Sequence, residues 1–353
     1  MHRENTKKLK IGPVTIGGGE KIAVQSMCTT STADVEATLS QLSALEAAGC
    51  DIARLAVPDA AAAAALPEIR QGCAMPLVAD IHFDYMLAIA AAEAGFDKIR
   101  INPGNIGSEE KVRAVVDACR ANGAAIRVGV NGGSLEKRLL EKYGGPDPRA
   151  LCESALEKVR LLEDMDFEDI CISVKSSGVK DTVEAYRLLA EKTEHPLHIG
   201  VTEAGGAYMG LIKSSAGIGA LLLDGIGDTL RVSLTADPVE EVKAGISLLK
   251  AVGLRREGVE IISCPTCGRT KYDMFATASR VEELLKDIKT PMTVAVMGCA
   301  VNGPGEASHA DYGIAGGGGE GLLFRKGVPV GKVPEDRLPQ ALLELIQQDS
   351  KEK

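Results

Sequence analysis

Three cysteines near the C-terminus of the 353-residue chain are spaced for metal chemistry. Cys264 and Cys267 form a Cys-x-x-Cys pair that brings two sulfurs to one metal-sized space, with Pro265 and Gly268 shaping the turn. Cys299 follows a second β-rich run and opens a Gly/Pro-rich segment that ends at Glu306, a carboxylate able to supply an oxygen ligand. Three thiolates suit either zinc or an iron–sulfur cluster. A closed zinc site wants a fourth cysteine or histidine, and only His309 is near in sequence. The competing reading is a [4Fe–4S] cluster on three thiolates, with one weakly held iron able to bind an oxygen while the cluster passes electrons. The Cys-x-x-x-Cys-x-x-Cys spacing of radical S-adenosylmethionine enzymes is absent. Cys28, Cys50, Cys73, Cys119, Cys152 and Cys171 stand singly and are expected to be small buried hydrophobes.

A second constellation lies upstream, where charges interrupt β-rich runs. These are Arg54, Asp80 with His82 just beyond, Arg100 and Asn102, Arg127 and Asn131, Lys175, Thr202 with Glu203, and Arg231 with Ser233. Strands covered on both faces normally read as continuous apolar runs. Residues two apart share a strand face, so Arg100/Asn102 and Arg231/Ser233 each point one way. A single such cation could be a structural ion pair. Five of them, on five runs of a chain with formal net charge −9, predict an anion pocket. Its charge suits a phosphate or diphosphate ester, which arginine grips bidentately. Asp80, His82 and Glu203 are the proton-transfer candidates in the same ring. His195 and His198, at the start of another run, are expected to be structural.

The elements that must carry these groups alternate regularly. β-rich runs at 22–27, 51–57, 76–81, 98–102, 125–131, 170–176, 196–203 and 228–235 are separated by amphipathic stretches, clearest at 34–48, 150–165, 179–192 and 237–252. Eight βα units over about 230 residues match a (β/α)₈ TIM-like barrel, whose mouth is where sites are built. A doubly wound sheet would place a Gly-rich fingerprint after its first strand, whereas Gly17-Gly18-Gly19 precedes it here. Beyond Leu254 the pattern changes. A helix at 275–288, a strand at 292–297, a hairpin around Lys326-Gly327 and a helix at 337–347 predict a small α+β domain. The expected organisation is a barrel binding the substrate over residues 1–254 and an iron–sulfur domain over 255–353, with a linker near 255–258.

Composition narrows the function class. Apolar residues at 45% and charged residues at 25% are the mix of a globular chain with sizeable cores. The acidic balance argues against nucleic-acid binding, which needs a basic surface, and an absence of Trp leaves few stacking platforms. No apolar run reaches membrane-spanning length, since the alanine run 60–65 is too short and helical in pattern. A cytoplasmic enzyme with no membrane contact is the expectation.

Four segments carry a family resemblance. Val78-Ala-Asp-Ile-His-Phe-Asp84, Arg100-Ile-Asn-Pro-Gly-Asn-Ile-Gly107, Ser263-Cys-Pro-Thr-Cys-Gly-Arg269 and Met297-Gly-Cys-Ala-Val-Asn-Gly-Pro-Gly-Glu306 resemble the bacterial hydroxymethylbutenyl diphosphate synthases of the non-mevalonate isoprenoid route. The resemblance spans essentially the whole chain and points to the form without the large inserted domain. It implies a reductive ring opening of methylerythritol cyclodiphosphate, with electrons from flavodoxin or ferredoxin. It also implies that Cys264, Cys267, Cys299 and Glu306 hold a [4Fe–4S] cluster. Arg54, Arg100, Arg127, Asn131, Lys175, Arg231 and Ser233 would contact the diphosphate, and Glu203 would sit by the reacting carbons.

Other functions carry parts of the same features. A zinc-stapled barrel aldolase or hydrolase would use the cations alone, and an electron carrier would use the cluster alone. Topology adds one expectation. The eighth barrel helix ends on the face opposite the mouth, and about ten residues of linker span at most roughly 33–36 Å. A head-to-tail homodimer, each cluster domain serving the partner's barrel, is therefore expected, and the resemblance points the same way.

Overall fold

The computed structural model describes residues 2–176, 178–270, 272–299 and 308–351. The chain divides into two compact units, Met1–Leu254 and Arg255–Lys353.

The first unit opens with a short hairpin, β1 (Leu9–Ile11) and β2 (Val14–Ile16). Eight parallel strands follow: β3 (Ala23–Met27), β4 (Ile52–Ala56), β5 (Leu77–Asp80), β6 (Lys98–Ile101), β7 (Ala125–Asn131), β8 (Ile170–Lys175), β9 (His198–Ile199) and β10 (Thr229–Leu230). Each of β3 to β8 pairs with its sequence neighbour. β10 joins β9 to β3, and a bridge from Ile172 to Leu197 links β8 to the start of β9, which closes the ring. The expected (β/α)₈ barrel is the observed fold.

Aspartate side chains start many of its helices. Asp34, Asp59, Asp84, Asp147 and Asp237 each accept a hydrogen bond from a first-turn amide, satisfying donors that a helix end leaves open. The hairpin was not foreseen. Its Leu9, Ile11 and Ile16 pack on Ala23, Ile52, Val78, Ala125 and Cys171, residues at the N-terminal ends of the strands, and so plug the barrel floor.

The second unit is a five-stranded sheet in the order β11 (Val259–Ser263), β12 (Met292–Met297), β13 (Tyr312–Gly316), β14 (Glu320–Arg325), β15 (Val328–Pro334). The first three strands run parallel and the last three antiparallel. Helices Met274–Leu285 and Leu338–Lys351 bury Val281, Leu285, Leu338, Leu342 and Ile346 against Val294, Val296 and Ile314. Lys326 and Gly327, at φ +48° and +76°, make the tight turn between β14 and β15. No helix among the described residues is long and apolar enough to cross a membrane.

Candidate functional site

Alternation along the barrel strands decides which residues face its axis. Ala53 and Leu55, Leu77 and Ala79, Ile99 and Ile101, Ile126, Val128 and Val130, and Ile170, Ile172 and Val174 all belong to the apolar layer beneath the helices. The intervening Arg54, Asp80, Lys98, Arg100, Arg127 and Lys175 therefore point inward. Register sets them side by side: Asp80 pairs with Arg100, Arg100 with Arg127, and Asn131 with Lys175.

One carboxylate organises the ring. Asp80 lies 3.1 Å from Arg100 NH1 and 3.6 Å from Arg54 NH2, all three nearly fully buried. Burial alone would raise the Asp80 carboxyl, but Arg54, Arg100 and Arg127 outweigh it and hold the pKa at about 2. Asp80 is thus an anion at any working pH, suited to fixing two guanidiniums rather than to giving up a proton. Arg100 also donates to the Gly129 carbonyl at 3.3 Å, and a side chain at Gly129 would collide with its Nε at 2.4 Å.

Two further residues aim the cations, and neither was expected from sequence. Glu241, on helix Pro238–Ala251, accepts both Nε and NH2 of Arg231 at 3.1 Å, plus Ser26 Oγ at 3.0 Å and the Leu234 amide at 2.9 Å. A signal was present, because Pro238, Glu241, Val242, Gly245 and Leu249 follow helical spacing and form the buried face. Met27 offers its sulfur to Arg54 NH2 at 2.7 Å and to Arg231 NH1 at 3.6 Å.

The other cations are left without such partners. Nε and NH1 of Arg127 are buried with no hydrogen-bond partner. Burial, followed by repulsion from Arg54, Arg127, Arg231 and Arg100, drives the Lys175 amine well below its ordinary value. Burial also lowers Arg54, opposed by Asp80 and reinforced by the other cations. An interior so rich in unmatched positive charge favours an anion.

The remaining predicted residues surround this ring. Asn102 is buried, with its amide 3.3 Å from Ser134 Oγ, and Asn131 is half-buried beside the same serine. Thr202 and Ser233 are half-buried just beyond β9 and β10. Glu203 is exposed, in left-handed backbone at φ +52°, a conformation that L residues seldom adopt and that recurs at functional loops. His82 is exposed, with its ring 6.1 Å from that of Phe83. Of the two histidines expected to be structural, His195 meets Glu163 at 3.0 Å, whereas His198 lies on β9, buried, with an unpartnered Nε2.

In the second unit the cysteines emerge from neighbouring strand ends. Cys264 follows β11 and Cys299 comes two residues after β12, and Ser263 pairs with Val296 across the parallel ladder. The Gly298 amide donates to Cys264 Sγ at 3.1 Å. Backbone and side-chain donors of Arg269 pull the exposed Cys267 thiol below its ordinary value. Donors aimed at sulfur favour thiolates, the form that binds metal. Three cysteines carried on the loops that follow two neighbouring parallel strands are a donor set that suits a metal centre. Glu306 lies outside the described residues.

Residues 6–246 match the family model of the GcpE TIM-barrel domain, and residues 260–348 that of the GcpE protein C-terminal domain. The 4-hydroxy-3-methylbut-2-en-1-yl diphosphate synthase (flavodoxin) of Clostridium perfringens is 57% identical over 98% of this chain and 99% of its own. The Bacillus subtilis protein of the same name is 55% identical over 97% and 90%. Among solved structures, dihydropteroate synthase from Stenotrophomonas maltophilia superposes with a TM-score of 0.51 at 13% identity, over 70% of this chain and 97% of that one. This last likeness concerns the barrel fold alone.

Proposed function

The chain belongs to the GcpE family, and on that premise we propose that it catalyses the reductive ring opening of 2-C-methyl-D-erythritol 2,4-cyclodiphosphate to 4-hydroxy-3-methylbut-2-enyl diphosphate. Two electrons and two protons enter and one oxygen leaves as water. The observation that supports this substrate class best is the set of five cations, Arg54, Arg100, Arg127, Lys175 and Arg231, of which only Arg54, Arg100 and Arg231 are held by the carboxylates Asp80 and Glu241. Asn131, Thr202, Ser233 and His82 are assigned to the same substrate, at its rim.

Each group has a role set by its surroundings. Asp80 and Glu241 hold Arg54, Arg100 and Arg231 in place before the diphosphate arrives, which lowers the ordering cost of binding. Arg127 and Lys175, which lack such anchors, take the charge that no internal carboxylate balances. Glu203 is the group assigned to hand a proton to the reacting carbons, a role that its exposed side chain, open to exchange with solvent, supports.

The donor set of the second unit fits a [4Fe–4S] cluster, held by Cys264, Cys267 and Cys299 with Glu306 as the fourth ligand. When bound, the cluster would relay two electrons, one at a time, from an external donor and would offer a Lewis-acidic iron. Flavodoxin is the donor named for the relatives and is the donor proposed here, with ferredoxin as the alternative. The enzyme is assigned to the cytoplasm.

We also infer a head-to-tail homodimer in which the barrel of one chain works with the cluster unit of the other. The few residues between Leu254 and β11 support this arrangement. Mixing an inactive Cys264→Ala chain with an inactive Arg127→Ala chain tests it. A mixed dimer then holds one doubly defective site and one intact site, so activity returns. No recovery in subunits shown to exchange would mean that each chain completes its own site.

A further inference from the structure

Lys98 is the innermost cation of the barrel, and neither the resemblance nor the anion-pocket reading assigned it a part. It starts β6, two residues before Arg100 on the same inward face, and pairs in register with Val78 and Ala125. Its side chain is 0% exposed, and its Nζ has no hydrogen-bond partner. The groups that face it are few. Arg127 on β7, Arg54 on β4 and the Cys171 thiol on β8 surround the amine, and His198 on β9 feels its charge. The adjacent Asp97 is already engaged by Arg70 NH1 at 3.0 Å and by the Leu77 amide at 2.8 Å. Asp80, the inward carboxylate of this ring, is taken by Arg54 and Arg100.

A buried ammonium with no counter-anion is strongly disfavoured, and an incoming anion reverses that balance. We propose that Lys98 is a further binding residue of the anion pocket, partly deprotonated in the free enzyme at mildly alkaline pH and fully protonated once a diphosphate lies against Arg127, so that substrate binding there takes up a proton. The inference rests on the reading that the barrel binds the cyclic diphosphate. In the free protein, burial lowers the Lys98 amine to about 8, Arg127 and Arg54 adding to the effect and Cys171 opposing it. An anion beside it returns the amine toward its ordinary 10.5. Both phosphorus centres of the cyclic ligand carry a single, strongly acidic oxygen, so the ligand does not titrate in this range.

Calorimetric titration of the anaerobically prepared holoenzyme with the cyclic diphosphate, in buffers of different ionisation heat, counts the protons exchanged. The wild type should take up about half a proton at pH 8, and its Kd should weaken about tenfold from pH 7 to pH 9. Lys98→Met should lose that uptake and bind more weakly. Lys98→Arg, which keeps the charge but does not titrate, should also lose the uptake while retaining affinity at pH 9. Uptake that persists unchanged in both variants overturns the inference while leaving the pocket intact. Absence of binding by the wild type, or binding indifferent to Arg127→Ala, overturns the underlying reading and the inference with it.

Discussion

Alanine at Cys264, Cys267 or Cys299 abolishes the visible chromophore and the turnover of the cyclic diphosphate together. The expectation follows from the second unit alone. Cys264 and Cys299 leave the ends of paired parallel strands, and the Gly298 amide already donates to Cys264 Sγ at 3.1 Å. Three thiolates leave no spare sulfur, so losing one exposes an iron that the protein cannot hold. The barrel folds around its own core, so the variants should remain folded and should still bind the substrate. Absorption spectra, iron content and calorimetric binding on the same anaerobic samples check all three statements. A fully active alanine variant would remove that cysteine from the centre.

The second large effect lies in the barrel. Arg127→Ala should raise the Kd for the cyclic diphosphate while the cluster spectrum stays unchanged. Arg127 is almost completely inaccessible, at 1% exposure, and its Nε and NH1 have no protein partner. Removing one member of a desolvated, hydrogen-bonded charge pair costs about 2–5 kcal/mol, which is roughly 30- to 5,000-fold in Kd. Burial and the neighbouring Arg100 lower the guanidinium to about 10 in the free protein, so it remains charged at neutral pH and below. An unaffected Kd would count directly against the pocket.

The sequence made the barrel legible because its strands and helices alternate in strict order and five of the β-rich runs carry a cation. The ends of the ring were harder to delimit. Runs expected at 196–203 and 228–235 pair as strands only at His198–Ile199 and Thr229–Leu230. Beyond them Gly200 approaches the Arg231 backbone so closely that a Cβ would sit 2.7 Å from its carbonyl oxygen. The N-terminal hairpin has three-residue strands, too short to show a period.

Within the site, Arg54, Asp80, Arg100, Arg127 and Lys175 could be found because charge in a covered strand is conspicuous. Lys98 has the same signature but opens its run, where a solvated strand end is the ordinary reading. Glu241 was hidden by its element, since a glutamate on a helix is usually a surface residue and only the spacing of its buried neighbours marks it. Met27 gives no sequence signal at all, because a methionine sulfur that receives two guanidiniums looks like any core methionine.

The central claim, that a cluster in the second unit reduces a diphosphate held in the barrel, is tested most directly by one combined measurement. Protein made and purified without oxygen is analysed for iron, sulfide and zinc, and the same sample is given the cyclic diphosphate with reduced flavodoxin. The account predicts a brown protein with about four iron and four sulfide per chain, forming 4-hydroxy-3-methylbut-2-enyl diphosphate at a rate proportional to its iron content. A colourless protein holding one zinc per chain and fully active would contradict it.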